Sequence, residues 1–337
     1  MTALWCDGFD GYIDLTQKYD TTTLVTLGGS SGRYGTAGIA FTTGSGAIVG
    51  TLTKNITASS ALVAGIAWYG NSISTHTTSS LGSDYILAFY SGSTLQIALS
   101  VMSDGTLVVH NGSTVLGQST NALSMYNWYY LELKSTGFSA SADFKVHVTL
   151  GNDESAWVIG TGNTNSAGSG TANKVSIGSL CEPDVDDFYI LNGLGDVNNN
   201  FLGDSRVLSL LPRIDGTYKQ WTPSTGTDHF ALIDEVPASS SDYVSISEGA
   251  TDTYRMTIQD SFLKNADFIQ QCFFVSSGSR SAPPIVPTAV VNFDVYYNPA
   301  IAVPISSAYV YSIWERRPDS GTEWTGNSLN NNEFGVS

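Results

Sequence analysis

Turn residues cut this sequence into short pieces, and that constrains its fold more than anything else. Runs rich in Val, Ile, Leu, Thr, Tyr and Phe end in Gly, Ser, Asn or Asp roughly every eight to twelve residues. No long window places apolar residues at i, i+3, i+4 and i+7, so long amphipathic helices are excluded. What is left is antiparallel strands joined by tight turns, in a sandwich or barrel. Expected strands include Ser60 to Gly70, Asp84 to Tyr90, Thr94 to Val101, Thr106 to His110, Trp128 to Lys134, Phe144 to Leu150 and Val185 to Leu191. Asp104-Gly105, Asn111-Gly112 and the turn at Gly151 mark hairpins, because the favoured tight turns need positive φ. Patterning lapses after Leu191 and resumes in Ile269 to Ser276, Thr288 to Tyr297 and Ala308 to Glu315. No repeat of propeller or solenoid length is present. The expected organisation is all-β: a sandwich over residues 1–192, an irregular connecting segment over 193–253, and a second, smaller β-sandwich domain over 254–337.

The charge balance removes whole classes of function. The chain has 337 residues, 14 Lys and Arg against 30 Asp and Glu, and a net charge of −16. A nucleic-acid binder needs a basic face, and docking on anionic lipid needs one too. Hydrophobic residues make up 42%, enough for a sizeable core. The opening MTALWCDGFDGYIDL lacks the basic and apolar regions of a signal peptide, so synthesis in the cytoplasm without a leader is expected. No apolar stretch is long enough for a transmembrane helix. Cys6, Cys181 and Cys272 form no C-x-x-C pair, so a zinc ribbon or dense disulfide framework is not expected.

Catalytic motifs are missing. His76, His110, His147 and His229 are scattered, with no nucleophile elbow, and each reads as structural. A β-sandwich glycosidase would alternate carboxylates along one strand, since i, i+2 and i+4 share a face. Glu132 stands alone in its strand, and Asp184 and Asp186 share a face without a Glu beside them. No enzyme is expected, and no catalytic residue is assigned. Asp196, Asn198, Asn200 and Asp204 supply oxygens at the spacing of a calcium loop, but Phe201 and Val207 stand where such a loop has Gly and Glu. Ca2+ is therefore only a weak candidate cofactor. Trp68, Tyr69 and Trp157 sit near turns, where aromatic rings can stack on sugars, and are the candidate glycan-binding residues.

Two sets of residues carry a resemblance. Phe9-Asp10-Gly11-Tyr12, Trp128 to Leu133, the Gly151 hairpin and Asp186 to Ile190 resemble, in order and spacing, a concanavalin A/laminin-G-type jelly roll. Phe201 to Val207, Leu211-Pro212, Asp215-Gly216, Trp221 to Ser224, Ile233 to Val236, and Pro318 to Thr325 with Glu333 to Val336 look like tailed-bacteriophage virion proteins that carry a lectin-like domain. That resemblance implies a virion structural protein of the tail, fibre or baseplate, with adhesion to a host-surface glycan. Capsid decoration and a soluble carbohydrate-binding module are the alternatives. The C-terminal domain would then attach the protein to other virion proteins or to its own copies as a homo-oligomer. Arg206 and Arg213 are expected to anchor acidic neighbours. First and last strands of such jelly rolls often lie side by side, which leaves a Cys6–Cys181 bond open.

Overall fold

The computed structural model describes residues 2–42, 50–71, 81, 84–179, 182–236, 239, 241–245, 249–256, 268–269, 272–278, 286–300 and 308–337. His76 and Cys181 lie outside the described residues. The chain forms two compact units: Met1–Asp10 with Asp14–Leu208, and Gly11–Ile13 with Ser209–Ser337. Almost every regular element is a strand.

In the first unit the strands are β1 (Ala3–Asp7), β2 (Thr21–Thr23), β3 (Val25–Gly28), β4 (Gly38–Phe41), β5 (Gly50–Ser59), β6 (Leu62–Tyr69), β7 (Leu87–Ser91), β8 (Thr94–Val101), β9 (Thr106–Asn111), β10 (Thr114–Ala122), β11 (Trp128–Ser135), β12 (Ala142–Leu150), β13 (Asp153–Gly162), β14 (Ala172–Ser179) and β15 (Asp184–Leu191). The larger sheet runs β13-β12-β11-β6-β15-β4-β3, with β1 also on β15. The smaller runs β10-β9-β8-β7-β14-β5-β2. This is a jelly-roll-type sandwich whose first and last strands are neighbours.

Turn chemistry sets the hairpins. Gly92, Gly112 and Gly151 each open a two-residue loop, with φ of +58°, +57° and +60°. The Asp104-Gly105 corner works differently. Only Gly105 is left-handed there (φ +83°), while Asp104 Oδ1 accepts from the N–H and hydroxyl of Thr106 at 2.9 and 2.6 Å.

Alternation along β11 sorts two faces. Tyr129, Leu131 and Leu133 lie opposite Trp68, Ile66 and Ala64 of β6, and all six are buried between the sheets. Phe144 and Val158 of this sheet press on Gly117 of β10, leaving a Cβ there only 2.9 Å from Val158. Trp128, Tyr130, Glu132 and Lys134 take the outer face, opposite Tyr69, Ala67, Gly65 and Val63. Gly65 is small for a reason: a Cβ would sit 2.3 Å from the Tyr189 ring and 3.0 Å from Tyr130. The centre of the outer face is covered by residues 199–207. Leu202 and Gly203 donate their N–H groups to Glu132, and Val207 donates to Asp187.

The second unit contains β16 (Pro212–Lys219), β17 (Thr222–Pro223), β18 (Val244–Ser245), β19 (Asp252–Met256), β20 (Phe268–Ile269), β21 (Cys272–Gly278), β22 (Pro287–Val291), β23 (Asp294–Tyr297), β24 (Ala308–Trp314), β25 (Trp324–Thr325), helix α1 (Gly326–Asn330) and β26 (Glu333–Val336). Its main sheet runs β16-β19-β26-β22-β23, and three two-stranded pairs accompany it. Trp324 is fully buried with Trp314, Leu329 and Phe334, and its indole N–H donates to Trp314 O at 3.0 Å. Thr325 and Ser328 form a reciprocal capping box on α1.

Two expectations are corrected. Residues 193–253 are not a connector between domains, because 199–207 bond to the first sheet and β16 to β19 build the second unit. The expected strand Thr288 to Tyr297 is a hairpin turning at Asn292-Phe293, both with positive φ. An Asn-Phe pair is a poor turn signal, so the alternating residues around it read as one strand.

Candidate functional site

One end of the outer face is aromatic. Asp184, Tyr69 and Trp128 are direct cross-strand neighbours on β15, β6 and β11, so the three side chains share a row. The Tyr69 ring lies 5.4 Å from Trp128 and 6.4 Å from Tyr126, centroid to centroid. Tyr126 is 67% exposed and left-handed at φ +62°. A bulky residue in that conformation costs about 1–3 kcal/mol and persists only where its surroundings impose it. Here Tyr126 N–H donates to Gly70 O at 3.0 Å, and the Asn127 amide donates to Ser124 O and Met125 O. Asn71 donates to Glu182 O at 2.9 Å and faces Asp184 Oδ2 at 3.5 Å. Burial raises the Asp184 pKa, and the Asn71 contact works against that. The result is a row of three rings, exposed Tyr126 edge-on to Tyr69 and Tyr69 against Trp128, with a carboxylate and an amide beside Tyr69.

Next along the face is a buried charged cluster. Asp187 takes a left-handed φ of +51° at a break in the β15 register, which turns it towards Arg33. Arg33 Nη1 is 3.3 Å from Asp187 Oδ2 and Nη2 is 2.6 Å from Asp204 Oδ1. Asp186 accepts from Arg33 N–H at 2.9 Å, the Thr36 hydroxyl at 3.2 Å and Asp187 N–H at 2.7 Å. Burial pushes Asp186 up, reinforced by the Asp187 charge. Burial also pushes Asp187 up, against the Val207 N–H and the charges of Arg33 and Arg206. A carboxyl raised in the folded state holds its proton where the unfolded chain has lost it, so its contribution falls as pH rises through that window. Unfolding by urea is therefore expected to show Asp186→Asn flattening the loss of stability between about pH 5 and pH 8. Parallel pH profiles for the two proteins would contradict this.

Glu132, His147 and Glu154 meet at the third position. Glu132 and His147 are paired across β11 and β12. A bulge on β13, with Trp157 as its extra residue, leaves Glu154 on the same face as His147. Glu132 is fully buried, and burial lifts its carboxyl to about 7 against hydrogen bonds from Tyr189 OH, Leu202 N–H and Gly203 N–H. His147 stacks on Phe201, ring centroids 4.9 Å apart, and burial lowers its pKa. Beyond it lies a groove with a cavity volume of about 420 Å³, lined in part by Lys134, Lys145, Ile159, Thr161, Asn200 and Phe201. Lys134 and Lys145 are a like-charged cross-strand pair.

The sequence candidates are divided by this geometry. Trp68 is fully buried between the sheets, so it is no platform for a sugar. Trp157 is half-buried, edge-on to Tyr129 at 6.4 Å, with its indole N–H on Ser155. Tyr69 is the candidate that lies in the exposed aromatic group. In the loop proposed for calcium, Asp204 pairs with Arg33 and Asn200 accepts from Lys134 Nζ at 3.0 Å. These cations engage two of the four side chains, Asp204 and Asn200, that the loop would offer an ion beside Asp196 and Asn198. Tyr126, Trp128, Arg33 and the Glu132–His147–Glu154 group were not marked by the sequence, because each depends on register between strands. His110 bridges Ser100 and Gly112 O, and His229 faces Asp252. Among the described residues, no helix is long and apolar enough to cross a membrane.

No family model and no curated protein sequence matches this chain. Solved structures do match. A Trypanosoma rangeli sialidase in complex with 2,3-difluorosialic acid is 10% identical, over 46% of this chain and 25% of that one, with a TM-score of 0.33. This chain thus spans about a quarter of the sialidase's length. The VIP36 exoplasmic/lumenal domain in its Ca2+/Man3GlcNAc-bound form is 10% identical, over 58% of this chain and 90% of that one, with a TM-score of 0.34. Winged bean acidic lectin complexed with methyl-α-D-galactose is 6% identical, over 57% and 98%, with a TM-score of 0.35. At such scores the likenesses carry no functional argument, and the fold assignment stands on the strand order itself.

Proposed function

We propose that the first unit is a carbohydrate-binding module whose ligand stacks on Tyr69, Tyr126 and Trp128. The observation that carries this is the strained, exposed Tyr126 ring edge-on to Tyr69, which in turn packs on Trp128. Sugar rings present apolar C–H faces and polar edges, and so need flat aromatics next to fixed polar groups. Asp184 and Asn71 are those groups here. The reading is of binding, with no catalytic step assigned to these residues.

The test is retention on immobilised neutral and acidic oligosaccharides. Wild type is expected to be retained, and Tyr126→Ala to lose about tenfold or more in affinity, or ~1.4 kcal/mol. A loss with Lys145→Ala but not with Tyr126→Ala would move the ligand to the lysine groove. No retention of any glycan would sink the proposal.

Attachment to a phage tail, fibre, baseplate or capsid is a separate proposal. The Trp324 segment behind that resemblance is core in the second unit, and the Trp221 indole donates to Ala250 O, so both help to specify a fold. Immunogold labelling of particles from a lysate tests the placement: gold on particles supports it, and bare particles end it.

A further inference from the structure

The Glu132–His147–Glu154 group is not used by the carbohydrate reading, and its geometry is unusual for an ion pair. Nδ1 of His147 lies 2.9 Å from Glu154 Oε1 and 3.6 Å from Glu132 Oε2. Neither approach is an aligned N–H···O hydrogen bond, and among the described residues Glu132 Oε2 and His147 Nδ1 both lack a hydrogen-bond partner. Glu132 is fully buried, so this is an unpartnered carboxylate oxygen aimed at a ring nitrogen in the protein interior. Leaving such an atom unmatched costs free energy that an ordinary structural carboxylate avoids. Its other oxygen shows what full satisfaction looks like, with Tyr189 OH and the N–H groups of Leu202 and Gly203 all donating to it.

We propose that Glu132 Oε2, His147 Nδ1 and Glu154 Oε1 form a site for one first-row divalent metal ion of the zinc class. All three atoms lie within 4.8 Å of one another. Ligands about 2.0–2.2 Å from a tetrahedral zinc stand roughly 3.3–3.6 Å apart, so small movements of the Glu154 side chain bring the set to that spacing. Glu154 is half-exposed and can move. One imidazole with two carboxylates suits zinc and its neighbours better than calcium, which takes six to eight oxygens.

The surroundings fit as well. Three donors fix the Glu132 carboxylate in place, as outer partners of metal ligands do. Phe201 covers one face of the His147 ring. Gly203 lies beside Glu154 with a left-handed φ of +75°, which disfavours any side chain at that position. With three protein ligands and a half-exposed Glu154, a fourth position is left for water.

The test uses the full chain, stripped with a chelator and titrated with ZnCl2 by calorimetry, with bound metal counted by mass spectrometry. One equivalent is expected in wild type. Affinity should fall at least a hundredfold in His147→Ala and at least tenfold in Glu154→Gln. The second variant changes a half-exposed side chain, so it decides the matter if the first misfolds. No stoichiometric zinc in wild type, or binding unchanged in Glu154→Gln, overturns the proposal.

Discussion

Arg33→Met is expected to destabilise the first unit by about 3–5 kcal/mol, the usual range for removing one partner of a buried pair. Arg33 is 7% exposed and reaches Asp187 and Asp204 at 3.3 and 2.6 Å. Its guanidinium also lies over the rings of Tyr34 and Tyr130. Methionine keeps much of the apolar stem but removes every donor. Asp187 is then left buried with a charge that the Val207 N–H and Arg206 offset only in part. Asp187→Asn in the same background should recover part of the loss, because it removes that charge. Urea unfolding checks both, and a loss below about 1 kcal/mol would show that the cluster contributes little.

Asp252→Ala is expected to cost the second unit at least as much, above about 4 kcal/mol. Asp252 is fully buried and accepts from four groups. Gln220 N–H and Trp221 N–H donate to Oδ1 at 2.6 and 2.9 Å, and Tyr254 OH donates to Oδ2 at 2.8 Å. His229 Nδ1 faces Oδ2 at 2.6 Å. Alanine removes this acceptor from all four at once; Gln220 N–H keeps Thr251 O at 3.2 Å, and each buried group left without a partner costs about 1–3 kcal/mol. Asp252→Asn keeps an acceptor and should cost markedly less. Equal costs for the two substitutions, read by calorimetry, would mean that volume and not hydrogen bonding dominates.

Strand content was legible because it is a local property. The alternation in Trp128 to Lys134 marks β11, and the turn at Gly151 marks the β12–β13 hairpin. Sites were much less so. Trp68 and Tyr69 are adjacent in sequence, yet one is sealed between the sheets and the other lies on the outer face, a difference set by the pleat. Alternation along one strand reveals only groups that share that strand, whereas Glu132, His147 and Glu154 come from three. Their meeting depends on a bulge at Trp157, which leaves no mark in composition. Arg33 pairs with residues more than 150 positions away, and no spacing rule announces such a contact. The segment 199–207 looked like a linker because its bonds run from backbone N–H groups to distant carboxylates.

The most direct measurement of the carbohydrate reading is NMR of the indole N–H signals. The chain has seven tryptophans. Trp128, assigned by a Trp128→Phe variant, is titrated with cello-, manno- and galacto-oligosaccharides. The account predicts that one of these shifts the Trp128 signal in a saturable way while buried Trp68 and Trp324 stay in place. A bound oligosaccharide that leaves Trp128 unmoved would contradict it.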